Sequence, residues 1–200
     1  MRINNRSAQS GRSMVEMMGY MAVVMTVVAA VGHLIGNAYN EFKYSKASMQ
    51  VSDLAAAIVR SATVDADYSE VVGNVRAVND SGKAIIPKTF RIVGTTVYHA
   101  FGGTVEVAVM TGDASKFAIK FNRLNRKQCI ELAMKDWQRN QTVDLYEIAV
   151  NNNYWFWSAY KSLETTDNTL PVKRSTVAGT GAGSNGQCNA NNNSIMWIFN

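Results

Sequence analysis

From Met14 to Ile35 the sequence runs for about 22 residues with only Glu16 and His33 ionisable. As an α-helix this stretch rises about 33 Å, enough to cross a hydrocarbon core of about 30 Å. Any fold the chain adopts must therefore hide one uniformly apolar helix in lipid or against other helices. Before it stands MRINNRSAQSG, with Arg2 and Arg6 and no acid. Positive charge on that side keeps the short segment in the cytoplasm and sends the rest outward. An ordinary secretory signal has an apolar core of about 7 to 15 residues and a small-residue cleavage site. This run is longer and has no such site at its far end, so the helix is expected to be retained.

Glu16 needs an explanation, because a carboxylate at mid-bilayer costs roughly 2.5 to 3.5 kcal/mol and somewhat less near the edge. Ser13 and Glu16 form S-x-x-E, a capping box at a helix start, where the macrodipole also favours an acid. That account leaves Gly11, just upstream, without a role except as a loop glycine. The other account is compensation by an opposite charge from elsewhere, which makes a buried carboxylate tolerable. His33, at the outer end of the apolar helix, reads as an interfacial residue and not a metal ligand.

Beyond Asn37 the pattern turns amphipathic. Tyr44, Ala47, Val51, Leu54, Ile58 and Ala62 recur every three or four residues, with Lys43, Lys46, Gln50, Asp53 and Arg60 elsewhere around the helix. One helix from about Ser13 to Ala62 is the economical reading. Short β-rich runs follow at Arg91 to Tyr98, Gly103 to Val109 and Lys116 to Phe121, separated by glycine-bearing turns, and predict an antiparallel meander. In NRKQCIELAMKDWQRN, Ile130, Met134 and Trp137 fall on one face of a short helix that carries Cys129. Further strands are expected at Val143 to Val150, Tyr154 to Tyr160 and Ser194 to Phe199. Residues 175–193, rich in Gly, Ser and Asn, read as an exposed loop carrying Cys188. In an oxidising compartment Cys129 and Cys188 are able to form a disulfide, and two free buried thiols are the alternative.

The formal charge is +5, and without the first 11 residues 18 basic and 15 acidic residues remain. Basic clusters at Arg123, Arg126 and Lys127 and at Lys173 and Arg174 do not interleave with aromatics as a nucleic-acid groove would, so no specific nucleic acid is expected. The histidines are His33 and His99, and no nucleophile motif, paired-carboxylate motif or Cys/His metal spacing occurs. No enzyme activity, metal or cofactor is expected. In YWFW, Tyr154 and Phe156 share one strand face and Trp155 and Trp157 the other. They serve either as core or as a contact between subunits, where Trp and Tyr are favoured.

A glycine, a short polar stretch, a glutamate five residues on and then an apolar helix resemble the start of a type IV prepilin. AFGGTVEVAV, KFAIKFNRLNRKQCIELA and CNANNNSIMWIFN are similar to the head of type IVb pilins, above all the major pilins of conjugative thin pili and related adhesive pili. The resemblance implies an α+β pilin fold: a long N-terminal helix whose second half packs on an antiparallel sheet, with a disulfide bounding a variable C-terminal region. It implies cleavage by the prepilin peptidase between Gly11 and Arg12, with methylation of the new N-terminus as a family trait. It also implies that Glu16 pairs with the free amine of Arg12 in a neighbouring subunit.

The expected organisation is a leader (1–11), an apolar transmembrane and assembly half of the helix (12–36), an amphipathic half (37–66) and a globular head (67–200). The expected function is that of a structural subunit, the major pilin of a type IVb pilus supporting adhesion or conjugative mating contact. The alternative is a minor pilin or a membrane-anchored exported binding domain. Expected partners are further copies of the chain in a helical homopolymer, the prepilin peptidase, and an inner-membrane assembly machinery with its ATPase and an outer-membrane secretin. The precursor would sit in the inner membrane with its head in the periplasm before joining an extracellular filament.

Overall fold

The computed structural model describes residues 7–61, 68, 86–110, 112–137, 143–151, 153–156, 170–179, 186–189 and 191–200, with the backbone alone at 7–13 and 153–156. The chain divides into two units, Met1–Phe42 and Lys43–Asn200. Helix α1 runs from Ser7 to Ser61. It contains no proline, and Gly19, Gly32 and Gly36 do not interrupt it. Its start lies upstream of the expected Ser13, while Ala62 falls outside the described residues.

In the second unit the periodic face of α1 is buried as its spacing requires. Ala47, Val51, Leu54, Ala55 and Ile58 are at most 1% exposed and belong to the core cluster. Gln50 breaks the expected pattern. Read as a solvent-side residue, it is 1% exposed, because its amide joins two loops: Nε2 donates to Thr89 O at 2.7 Å, and Oε1 accepts from Ala100 N–H at 2.8 Å. A buried polar side chain is tolerated when its hydrogen bonds are filled.

Seven antiparallel strands form one sheet: β1 (Arg91–Val93), β2 (Thr96–Tyr98), β3 (Thr104–Met110), β4 (Asp113–Leu124), β5 (Leu145–Val150), β6 (Asn153–Phe156) and β7 (Asn193–Phe199). Their order is β1-β2-β3-β4-β7-β5-β6. The expected single strand Arg91 to Tyr98 is a hairpin, since Gly94 takes φ 58 and reverses the chain between β1 and β2. The meander holds from β1 to β4. The C-terminal strand β7 then enters between β4 and β5, so the last residues of the chain lie at the middle of the sheet.

Alternation along the central strands gives the core. Phe117, Ile119 and Phe121 of β4 pair in register with Phe199, Trp197 and Ile195 of β7, and Trp197 and Ile195 pair in turn with Ile148 and Val150 of β5. Phe117 stacks on Phe199 at 5.3 Å, and Phe121 meets Trp197 edge-on at 5.2 Å. All of these side chains are fully buried. Large aromatics on facing positions of β4 and β7, flanked by Ile148 and Val150 of β5, bury a large apolar area per residue.

Helix α2 (Arg126–Ala133) starts at a capping box in which Asn125 accepts from Gln128 N–H and the Gln128 side chain accepts from Asn125 N–H. Met134 is its C-cap and still donates its N–H to Ile130 O at 3.0 Å, so Ile130 and Met134 share a face as expected, whereas Trp137 lies beyond the helix. Trp137 is buried by a return of the chain, with its indole N–H donating to Leu132 O at 2.9 Å and its ring 4.9 Å from Trp197. A short helix α3 (Arg174–Ala178) begins one residue before the segment read as an exposed loop and takes up its first four residues.

Candidate functional site

The first unit, taken by itself, presents an exposed apolar surface. Large apolar side chains of α1 from Met14 to Phe42 stand out all around the helix: Val15 is 70% exposed, Tyr20 75% and Leu34 66%. Because consecutive positions are apolar, no polar stripe exists to face water, as a surface helix would need. This helix is long and apolar enough to cross a membrane. Some of its polar groups are bonded locally: Thr26 donates its hydroxyl to Val23 O at 2.7 Å, and His33 Nδ1 lies 3.2 Å from Asn37 Nδ2. Local bonds of this kind lower the cost of carrying polar groups into an apolar surrounding.

Gly11 and Arg12 lie in the backbone of α1, their side chains outside the described residues, and Glu16 is exposed. The helix is already formed at Ser7, so Ser13 is not its N-cap, and the first turn contains no acid. The capping account of Glu16 therefore fails for the intact chain. Only a helix shortened to begin near Arg12 would bring Glu16 close to a terminus.

The second feature is the closure of the C-terminal region. Cys129, on α2, is bonded to Cys188 with Cα atoms 5.7 Å apart, and both are fully buried. Around the bridge, Cys188 N–H donates to Val177 O at 2.9 Å and Gln187 N–H to Thr176 O at 3.1 Å. Gly186 is required there, since a Cβ would run into the backbone of Val177, Ala178 and Gly179. Asn193, 1% exposed, donates to Leu124 O and accepts from Asn151 Nδ2, which also donates to Gln187 O. Part of the Asn-rich segment is thus a buried amide network and not an exposed loop. Sequence reading missed Gln50, Asn151 and Asn193, since a buried amide has no periodic signal of its own.

Of the aromatic run, register sets Tyr154 opposite Ala149, Trp155 opposite Ile148 and Phe156 opposite Glu147, on the edge strand β6. Trp157 lies outside the described residues. His99 is buried at 3% exposure, and both ring nitrogens are engaged, Nε2 with Asn122 O and Nδ1 with Phe101 N–H. Burial pushes its pKa down from the ordinary value. A neutral ring held on both sides acts as a structural clasp. Among the described residues no three of His, Cys, Asp and Glu converge on one point.

An exposed apolar helix, attached in sequence to a cross-linked α+β unit, is built for association with lipid and with other helices. Comparison with curated proteins gives no match. The family model described as PilS N terminal matches residues 44–200, the amphipathic half of α1 and the whole sheet-bearing unit. The chain belongs to this type IV pilin family, whose members are structural subunits that assemble into pili.

Proposed function

We propose that this pilin is the major subunit of a type IVb pilus, made as a precursor with residues 1–11 as its leader. The observation that carries this reading is the helix surface from Met14 to Ile35, apolar around the helix and exposed. At roughly 25 cal/mol per Å² of buried apolar area, such a surface favours lipid first and a bundle of like helices afterwards. The prepilin peptidase cuts after Gly11. Residues 12–36 then anchor the subunit in the inner membrane, with the head in the periplasm. An assembly machinery with its ATPase extracts the subunits into a growing helical polymer, which leaves through an outer-membrane secretin.

In this reading the heads form the outside of the filament, and the disulfide-bounded C-terminal region serves adhesion or mating contact. The edge strand β6, with Tyr154, Trp155 and Phe156, and Trp157 after it, contributes to contacts between subunits. The test is to shear filaments from producing cells, image them and identify their main protein by mass. This chain as the bulk of the fibre is the expected result. A fibre made of another protein, with this chain present in traces, would assign it to a minor pilin.

A further inference from the structure

Two basic clusters that are distant in sequence lie on neighbouring helices. Arg126 and Lys127 open α2, while Lys173 is the N-cap of α3 and Arg174 its first residue. Arg126 Nη2 donates to Ala178 O at 2.7 Å, and Cys188, bonded to Cys129 of α2, donates its backbone N–H to Val177 of α3. A five-residue helix is only about 7.5 Å long, so Lys173 and Arg174 stand within roughly 15 Å of Arg126. Arg123 adds a fifth cation where β4 bulges before Leu124, at φ 59.

All five cations are exposed. Among the described residues the single salt bridge is Lys116–Asp113, so no described carboxylate lies within bonding reach of the five. The first turn of α2 holds two of these cations and no acid, an arrangement that opposes the helix macrodipole. Glu131, exposed one turn along α2 from Lys127, offsets part of this charge, and the remaining excess of clustered cations raises the local positive potential and attracts anions. The patch has exposed amide and hydroxyl neighbours in Asn125 and Ser175 and no exposed aromatic among its own residues. Single-stranded nucleic acid calls for stacking platforms, whereas sugar hydroxyls are met by amides and hydroxyls.

We infer that Arg123, Arg126, Lys127, Lys173 and Arg174 form a binding surface for an anionic polysaccharide. Arginine forks take its acidic groups bidentately and lysines act as point charges. The inference rests on the reading above, in which the head lies on the outside of the filament.

The experiment uses the full chain in detergent, passed over immobilised polygalacturonate and over neutral dextran. Retention on the polyuronate alone, weakening as salt rises, is expected. The triple variant Lys127→Gln, Lys173→Gln, Arg174→Gln should bind about tenfold more weakly or worse. These three side chains make no hydrogen bond that holds the fold. The charge-matched control Arg60→Gln, Lys88→Gln, Arg91→Gln should keep nearly full binding. Equal loss in both triples would reduce the effect to net charge and overturn the site. Tighter binding of duplex DNA than of polyuronate would give the patch to nucleic acid and overturn it as well. The assay needs no filament, so polyuronate binding by a chain that is absent from pili would count against the pilus reading and not against this surface.

Discussion

The His99 imidazole lies flat on the Phe121 ring, with centroids 4.6 Å and planes 10° apart. Nε2–H donates to Asn122 O at 2.9 Å, and Nδ1 accepts from Phe101 N–H at 3.2 Å. A second proton, on Nδ1, would face that N–H donor. Gly103 must be glycine for the clasp to close, because a Cβ there would run into Asn122 O and His99 Nε2.

Burial lowers the His99 pKa below 6.5, and the bond to Asn122 offsets this only in part. The unfolded chain therefore takes up a proton near pH 6.5 that the native state refuses. Stability falls as pH drops through 6.5 and stops falling from this cause below the native pKa. Urea midpoints at about pH 7.5 and 5.5 should show this loss in the wild type and a flatter response in His99→Phe. Identical slopes would remove His99 as the source. The Asp113 carboxyl titrates in a separate window, since the Lys116 ammonium at 2.6 Å holds it down to about 2.

Gln50 is the polar pin between α1 and two loops. Gln50→Leu keeps the volume but leaves Ala100 N–H and Thr89 C=O without their partner. With about 1 to 3 kcal/mol for a buried group left unsatisfied, and less at Thr89, which stands exposed, a loss of roughly 1 to 3 kcal/mol is expected by chemical denaturation. A change under about 0.5 kcal/mol would show that water replaces the amide at both ends.

The bridge between Cys129 and Cys188 closes a loop with a sequence separation of 59. Chain entropy alone assigns such a loop about 4 kcal/mol. Cys188→Ser should lower the denaturation midpoint accordingly and, through proteolysis of the unfolded fraction, the amount of chain in cells. An unchanged midpoint in the variant would mean that the buried packing around Val177 and Gly186 holds the region without the bond.

These residues also show what sequence reading reaches. The α1 core face was legible because Ala47, Val51, Leu54 and Ile58 follow a helical period, and β4 because Phe117, Ile119 and Phe121 alternate. The insertion of β7 between β4 and β5 was not, since strand order depends on long-range pairing that leaves no periodic trace. Arg91 to Tyr98 scored as one strand because Ile92, Val93, Thr96 and Val97 are all β-formers, and only the conformation of Gly94 divides them. Gln50 and Asn193 look like surface residues until the carbonyls they satisfy come into place. Of the site, the apolar helix was plain from composition.

Processing is open to a direct check. Gly11→Val should leave the leader attached, because a branched side chain obstructs the close backbone approach that a peptidase cleft requires. The precursor would accumulate in the membrane at its full mass and filaments would be absent. Wild-type fibres whose subunits begin at Met1 would refute cleavage after Gly11.

Glu16 separates two physical accounts. In the intact chain α1 is already helical at Ser7, so Glu16 sits beyond the first turn and does not cap it. If the chain is cut after Gly11 as proposed, Glu16 becomes the fifth residue of the new chain, and capping becomes geometrically available. Glu16→Gln keeps that capability, because glutamine also serves in a capping box, while it deletes the charge. If capping were the whole role, the loss would be a few tenths to about 1 kcal/mol, and piliation would survive. If Glu16 answers the terminal amine of Arg12 in a neighbouring subunit, the variant leaves a cation in an apolar bundle, a penalty of roughly 3 to 5 kcal/mol. Cleavage and membrane insertion should then proceed as before, with insertion slightly favoured by the neutral side chain. Sheared filaments should disappear while processed subunit stays in the membrane. Normal filaments from a correctly processed Glu16→Gln chain would return the residue to the part of a helix cap.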